Sequence, residues 1–136
     1  KENVFKEIYR VLDKDGEFLF SLCHPMRFST ENVLVDGKRF HAIGFEAGDD
    51  GEKVWGKYMS HTKQTNYFKD NQVLEEYIAP PSFIFEKLLD TSFIVENFKE
   101  SKCIDECKDF DLAYYKRFSE IPQFMAFLAK KVKDNT

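Results

Sequence analysis

His24 is the residue best placed to move a proton. It follows an apolar run, Phe18 to Cys23, and the loop after such a strand is where open α/β sheets gather ligands. An imidazole titrates near neutrality, so at this position it suits a general base. A hydrogen-bonded loop histidine held by Pro25 is the equal alternative. Ser21, Met26, Arg27 and Phe28 flank it and would line the same pocket. Arg27 carries the planar fork that pairs with a carboxylate or phosphate, although a surface ion pair is the commoner use of such a residue. Farther along, Trp55, Tyr58, Tyr67 and Tyr77 offer rings to an apolar or aromatic substrate, while packing within strands is their commoner use. His41 and His61 stand alone. Cys103 and Cys107 lack the two further ligands a structural zinc site needs. No serine or cysteine has the surroundings of a nucleophile.

These side chains need elements to hold them. Val4, Phe5, Ile8, Val11 and Leu12 recur at helical spacing and predict one apolar stripe, with Lys6, Glu7 and Arg10 opposite. Asp13-Lys14-Asp15-Gly16 is turn chemistry, with the glycine expected to take the left-handed backbone that ends a helix. Phe18 to Cys23 is apolar on both faces and predicts a strand covered from both sides. The middle of the chain predicts hairpins: Val33–Val35 and Phe40–Ile43 around Asp36-Gly37, then Thr65–Phe68 and Val73–Ile78 around residues 69–72, with Val54–Met59 as a strand between them. Pro80-Pro81-Ser82 starts a helix expected to turn Ile84, Phe85, Leu88 and Leu89 inward. Phe93–Phe98 is the next strand. Phe110, Tyr114 and Phe118 predict a helical connection, and Phe124 to Ala129, apolar on both faces, predicts a central strand.

The order of these pieces resembles class I S-adenosylmethionine-dependent methyltransferases. Glu7-Ile8-Tyr9-Arg10-Val11-Leu12, the Asp13–Gly16 turn, the strand and His24-Pro25 are similar to that family's "R-V-L-K-P-G-G" helix, fifth strand and "S-x-x-H-P" loop, with Asp15 in the usual proline position. Phe83 to Phe93 resembles the helix before the sixth strand, "L-x-x-A-G-F", with Ser92 in the glycine position. Ile121 to Lys131 resembles the last strand, "P-x-F-L-x-x-x-x-x-K". The resemblance spans nearly the whole chain. It implies an α/β fold: the C-terminal part of a Rossmann-like methyltransferase sheet, with the fifth, seventh and sixth strands in that spatial order and the seventh antiparallel to both. Residues 1–136 would be a single domain, and residues 27–80 a β-rich insertion acting as a substrate lid.

It further implies methyl transfer from S-adenosylmethionine to a small-molecule acceptor. His24 would be the catalytic residue, with Ser21, Met26, Arg27, Phe28, Trp55, Tyr58 and Tyr67 binding substrate. The family's Gly-rich cofactor loop and the acidic residue after its second strand have no counterpart. Gly44 to Gly51 has glycines at the wrong offsets and reads as an exposed turn. The chain opens on a helix without an initiator methionine and reads as the second half of a longer protein, with about a hundred residues expected ahead of it on ordinary domain sizes. No cofactor is expected to bind these residues tightly, and no turnover is expected in isolation.

Composition narrows the partners. A formal charge of −4 without a basic cluster disfavours nucleic acid and anionic membranes. The apolar runs are too short to span a bilayer. The odd number of cysteines, 3, suits reduced thiols in a cytoplasm. The 15 phenylalanines suggest a thick aromatic core or a sheet face meant to be covered. An exposed strand edge would invite a homodimer. The rival reading is a non-catalytic α+β module that binds a small ligand, or one that completes its sheet with another chain.

Overall fold

The computed structural model describes residues 2–48 and 53–133. Helix α1 (Glu2–Val11) leads through a tight turn into strand β1 (Glu17–Cys23). Phe5, Ile8, Tyr9 and Leu12 pack against the core, whereas Val4 and Val11 are exposed. The stripe is therefore narrower than its apolar positions suggested and takes in Tyr9. In the turn it is Asp15, at φ 66°, that takes the left-handed conformation. Gly16 is needed for space instead: a Cβ there would lie 2.8 Å from the Asp13 carbonyl oxygen and 3.1 Å from the Leu12 side chain.

Strand β8 (Ile94–Glu100) and strand β9 (Phe124–Lys130) complete a three-stranded sheet of order β1-β9-β8. Both neighbours run antiparallel to β9, so β1 and β8 are parallel to each other. The expected central position of the last strand is what the sheet has. Helix α3 (Pro81–Asp90) buries Ile84 and Leu88 against this sheet, with Phe85 packed beside them. Leu89, expected inward, is 61% exposed, because it falls on the flank of the helix away from the sheet. The helix closes in a Schellman turn: Phe93 N–H donates to the Leu88 carbonyl and Ser92 N–H to that of Leu89. Ser92, at φ 72°, occupies the left-handed position usually given to glycine.

The core is aromatic. Register puts Phe18, Phe20 and Leu22 of β1 in rows with Ala129, Phe127 and Met125 of β9. Phe127 meets Phe20, Phe85 and Phe98 at ring-centroid distances of 5.2, 5.1 and 4.9 Å. The other face of β1 is open, since Leu19 is 72% exposed and Ser21 is exposed. The two-sided burial expected of this strand fails because α1 and α3 both pack on its aromatic face. β1 also has no strand on its outer edge among the described residues.

Between β1 and α3 lie short helix α2 (Pro25–Phe28) and three small antiparallel pairs. β2 (Glu31–Val35) and β3 (Lys38–Ala42) form the expected hairpin, with Asp36 and Gly37 both at positive φ. β4 (Gly44–Phe45) pairs β5 (Val54–Trp55), which stops after two residues where a longer strand was expected. Gly56, at φ 83°, ends it, and a Cβ there would lie 2.8 Å from Ile43 and 2.9 Å from the Ser29 carbonyl oxygen. Of the Gly44–Gly51 stretch, residues 49–51 lie outside the described residues. β6 (Thr62–Tyr67) and β7 (Val73–Ile78) form the other expected hairpin.

The connection between β8 and β9, expected to be helical or partly helical, is two short helices: α4 (Cys107–Phe110) and α5 (Leu112–Phe118). Asp111 breaks the run by turning extended and accepting from Tyr114 N–H at 3.0 Å as the N-cap of α5. Phe110 is left 88% exposed, while Tyr114 and Phe118 meet with ring centroids 4.7 Å apart.

Candidate functional site

The ends of β1 and β8 and the start of β9 meet at one edge of the sheet, and His24 sits there. Its backbone N–H donates to the Gln123 carbonyl at 3.0 Å, just ahead of β9. The side chain is almost wholly buried, at 1% exposure. Nδ1 accepts from Met26 N–H at 3.0 Å, capping α2, so the ring proton belongs on Nε2. Nε2 then donates to Glu100 Oε2 at 2.6 Å. Both ring nitrogens are thus engaged. The accessible proton acceptor of the pair is the Glu100 carboxylate, whose side chain is 54% exposed.

Glu100 was not among the candidates from sequence. A β-bulge between Val95 and Asn97 shifts the register of β8, which puts Phe98 opposite Phe127 and Glu100 opposite Met125. Without that extra residue, Glu100 would face the other side of the sheet. Tyr58 lies beside the pair, its ring 6.3 Å from that of His24. Burial and then the Glu100 charge push the Tyr58 phenol above its ordinary value.

The remaining candidates separate. Arg27 stacks its guanidinium over Phe28 and Phe118, at 5.3 and 5.9 Å, and has no ion pair among the described residues. Met26 is at the surface. Ser21 lies on the open face of β1, away from the aromatic core. Trp55 is half-buried opposite Gly44. Tyr67 is 80% exposed at the turn end of the β6–β7 hairpin. A polar cleft of about 660 Å³ opens between α2, β2 and β6, and Arg27 and Phe28 are the two candidates that line it.

The β6–β7 hairpin is tied to the sheet by one contact that sequence gave no sign of. The Cys23 thiol donates to Glu76 Oε2 at 3.3 Å, and the same oxygen accepts from the Asn66 amide at 3.2 Å. Burial, then the hydrogen bond and charge of Glu76, push the Cys23 thiol up from 9.0 to about 12. A thiol whose pKa rises on folding stabilises the fold only while protonated. Its contribution is complete below about pH 9 and is lost as the pH climbs towards 12. Cys23 should therefore be the last of the three free cysteines to react with iodoacetamide at about pH 8.5. Peptide mass spectrometry reads this directly, and labelling of Cys23 as fast as in the unfolded chain would contradict it.

Among the described residues no group of His, Cys, Asp or Glu is arranged to hold a metal ion. No helix among them is long and apolar enough to cross a membrane.

No protein-family model and no curated protein sequence matches the chain. Solved structures of similar fold include two methyltransferases. One is from Listeria monocytogenes, described as a "putative S-adenosylmethionine dependent methyltransferase" (TM-score 0.66, 20% identity). The other is an S-adenosylmethionine-dependent methyltransferase from Mesorhizobium loti (TM-score 0.62, 16% identity). The matches cover 97% and 96% of this chain but only 55% and 54% of those proteins. The chain thus shares an α/β fold with these structures and spans about half of their length.

Proposed function

We propose that these residues are the C-terminal portion of an S-adenosylmethionine-dependent methyltransferase and form the acceptor side of its site. The observation that carries the reading is the β1-β9-β8 sheet with His24 at the carboxyl end of β1, in a fold matched by methyltransferases across nearly all of this chain. In this reading β1, β9 and β8 are the fifth, seventh and sixth strands of the full sheet, and residues 27–80 are a lid over a small-molecule acceptor. Ser21, Met26, Phe28, Trp55, Tyr58 and Tyr67 would meet that acceptor only as the lid closes.

The residues described do not fit the methyl donor by themselves. The glycines at positive φ, Gly37, Gly44 and Gly56, all lie in or beside the small strand pairs, and none opens a helix. Helix α3 starts on Pro80 and Pro81, which lack N–H donors, and α5 starts on the Asp111 carboxylate. What the chain offers is acid–base chemistry. For an acceptor that must lose a proton, Glu100 takes it and His24 holds the carboxylate in place through Nε2–H. The open edge of β1 would pair with the preceding strands of the same protein, or with a second copy when they are absent.

Calorimetric titration with S-adenosylhomocysteine tests the reading. The product of the complete reading frame that encodes these residues should bind one equivalent, and the 136 residues alone should give no heat at millimolar ligand. Absence of binding by the complete product sinks the methyltransferase reading. Binding by the 136 residues alone sinks the account of the missing cofactor side.

A further inference from the structure

We propose that the polar cleft beside α2 binds an anionic group, a carboxylate or phosphate, carried by the small molecule this site receives; that the molecule is a methyl acceptor rests on the proposed function, and the anion site itself does not. Three observations converge. Arg27, Lys57 and Lys63 line the cleft against the single carboxylate of Glu31. Lys63 is already paired with Glu75 at 2.8 Å, but Arg27 and Lys57 have no ion pair among the described residues. The Arg27 fork is held in place by its stacking on Phe28 and Phe118, so little freedom is lost when it closes on oxygen atoms.

Ser29 supplies a second, independent observation. It lines the same cleft, is 6% exposed, and its Oγ has no hydrogen-bond partner. A buried hydroxyl without a partner is costly, and an anion bound in the cleft would give this one an acceptor. The backbone ties the parts together, since Lys57 N–H donates to the Ser29 carbonyl at 2.9 Å. The close approach of Gly56 to that carbonyl keeps the two segments side by side. The volume, about 660 Å³, suits a small molecule. A lining this polar does not suit the apolar acceptor that Trp55, Tyr58 and Tyr67 suggested.

The test is an NMR titration of this chain with inorganic phosphate and, separately, acetate, at constant ionic strength in sodium chloride. Saturable shifts should appear at the amides of residues 27–32 and 57–65. Arg27→Gln with Lys57→Gln should weaken binding by about tenfold or more, as charge-assisted bonds are lost. Ser29→Ala should weaken it about threefold without lowering the unfolding temperature, because no existing hydrogen bond is removed. Phosphate binding alone would assign a phosphorylated ligand, and binding of both probes a carboxylate as well. Non-saturating shifts, or variants that bind like the native chain, would overturn the site. Anion binding here, with no S-adenosylhomocysteine bound by the complete product, would sink the methyltransferase reading and leave the cleft standing. The reverse would sink the cleft alone.

Discussion

Phe127→Ala should destabilise the chain by about 3–5 kcal/mol, the range for emptying a fully buried aromatic site. Phe127 has no exposed surface and lies on the central strand, where its ring touches Phe20 of β1, Phe98 of β8 and Phe85 of α3. One side chain thus joins both outer strands to the helix. The vacated space cannot close easily, because β9 is hydrogen-bonded along both edges and cannot shift without breaking a ladder. The loss is a large part of the roughly 5–15 kcal/mol that folds most domains, so Phe127→Leu provides a milder variant that still reports. Leu19→Ala, on the open face of β1 and 72% exposed, should change stability by no more than about 0.5 kcal/mol. Urea unfolding with an unchanged m value gives the comparison. A loss below about 1 kcal/mol for Phe127→Ala would mean that the aromatic cluster does not hold the sheet together.

That cluster was only partly legible in the chain. The 15 phenylalanines announced either an aromatic core or a face awaiting cover, and the core has absorbed Phe5, Phe18, Phe20, Phe83, Phe85, Phe93, Phe98 and Phe127. Periodicity located α1, β1, α3 and β9 because their apolar spacing is local information. It could not say which face stays open: Leu19 reads as core by type, and its exposure depends on where α1 and α3 pack. The bulge in β8 was hidden for the same reason. Strict alternation would put Val95 and Asn97 on one face, and only pairing with β9 reveals the slip that delivers Phe98 to the core and Glu100 to His24. The candidate site followed the same pattern. His24 stood out by type and position, whereas Glu100, Glu76 and Lys57 are surface charges in sequence and acquire meaning from partners 76, 53 and 28 positions away or so in the chain. Turn chemistry was legible at Asp36-Gly37 and misassigned at Asp15-Gly16, where aspartate takes the strained angle and glycine makes room.

Lys131→Met should cost about 2–4 kcal/mol, most of it from carbonyls left without a donor. Lys131 directly follows β9, is 2% exposed, and its Nζ donates to the carbonyls of Tyr9 and Leu12, both at 2.7 Å. A helix leaves its last carbonyls unpaired and its C-terminal end partially negative. The Lys131 ammonium answers both needs at the end of α1, and it also lies 4.7 Å above the Tyr9 ring. The Lys131 N–H donates to the Gly16 carbonyl and the Asp15 N–H to the Lys131 carbonyl, so backbone and side chain clasp the same turn. Methionine keeps the length and apolar stem but no donor, which separates capping from packing. The adjacent residue is an internal control. Lys130 reaches Glu96 only at 3.9 Å and is partly exposed, so Lys130→Met should change stability by about 0–1 kcal/mol. Amide exchange should locate the difference, with the last turn of α1 losing protection in Lys131→Met and not in Lys130→Met. Equal stability of the two variants would reject the cap. A confirmed cap would give Lys131 a purely structural role: it fastens the end of α1 to the end of β9, at the opposite end of the sheet from His24.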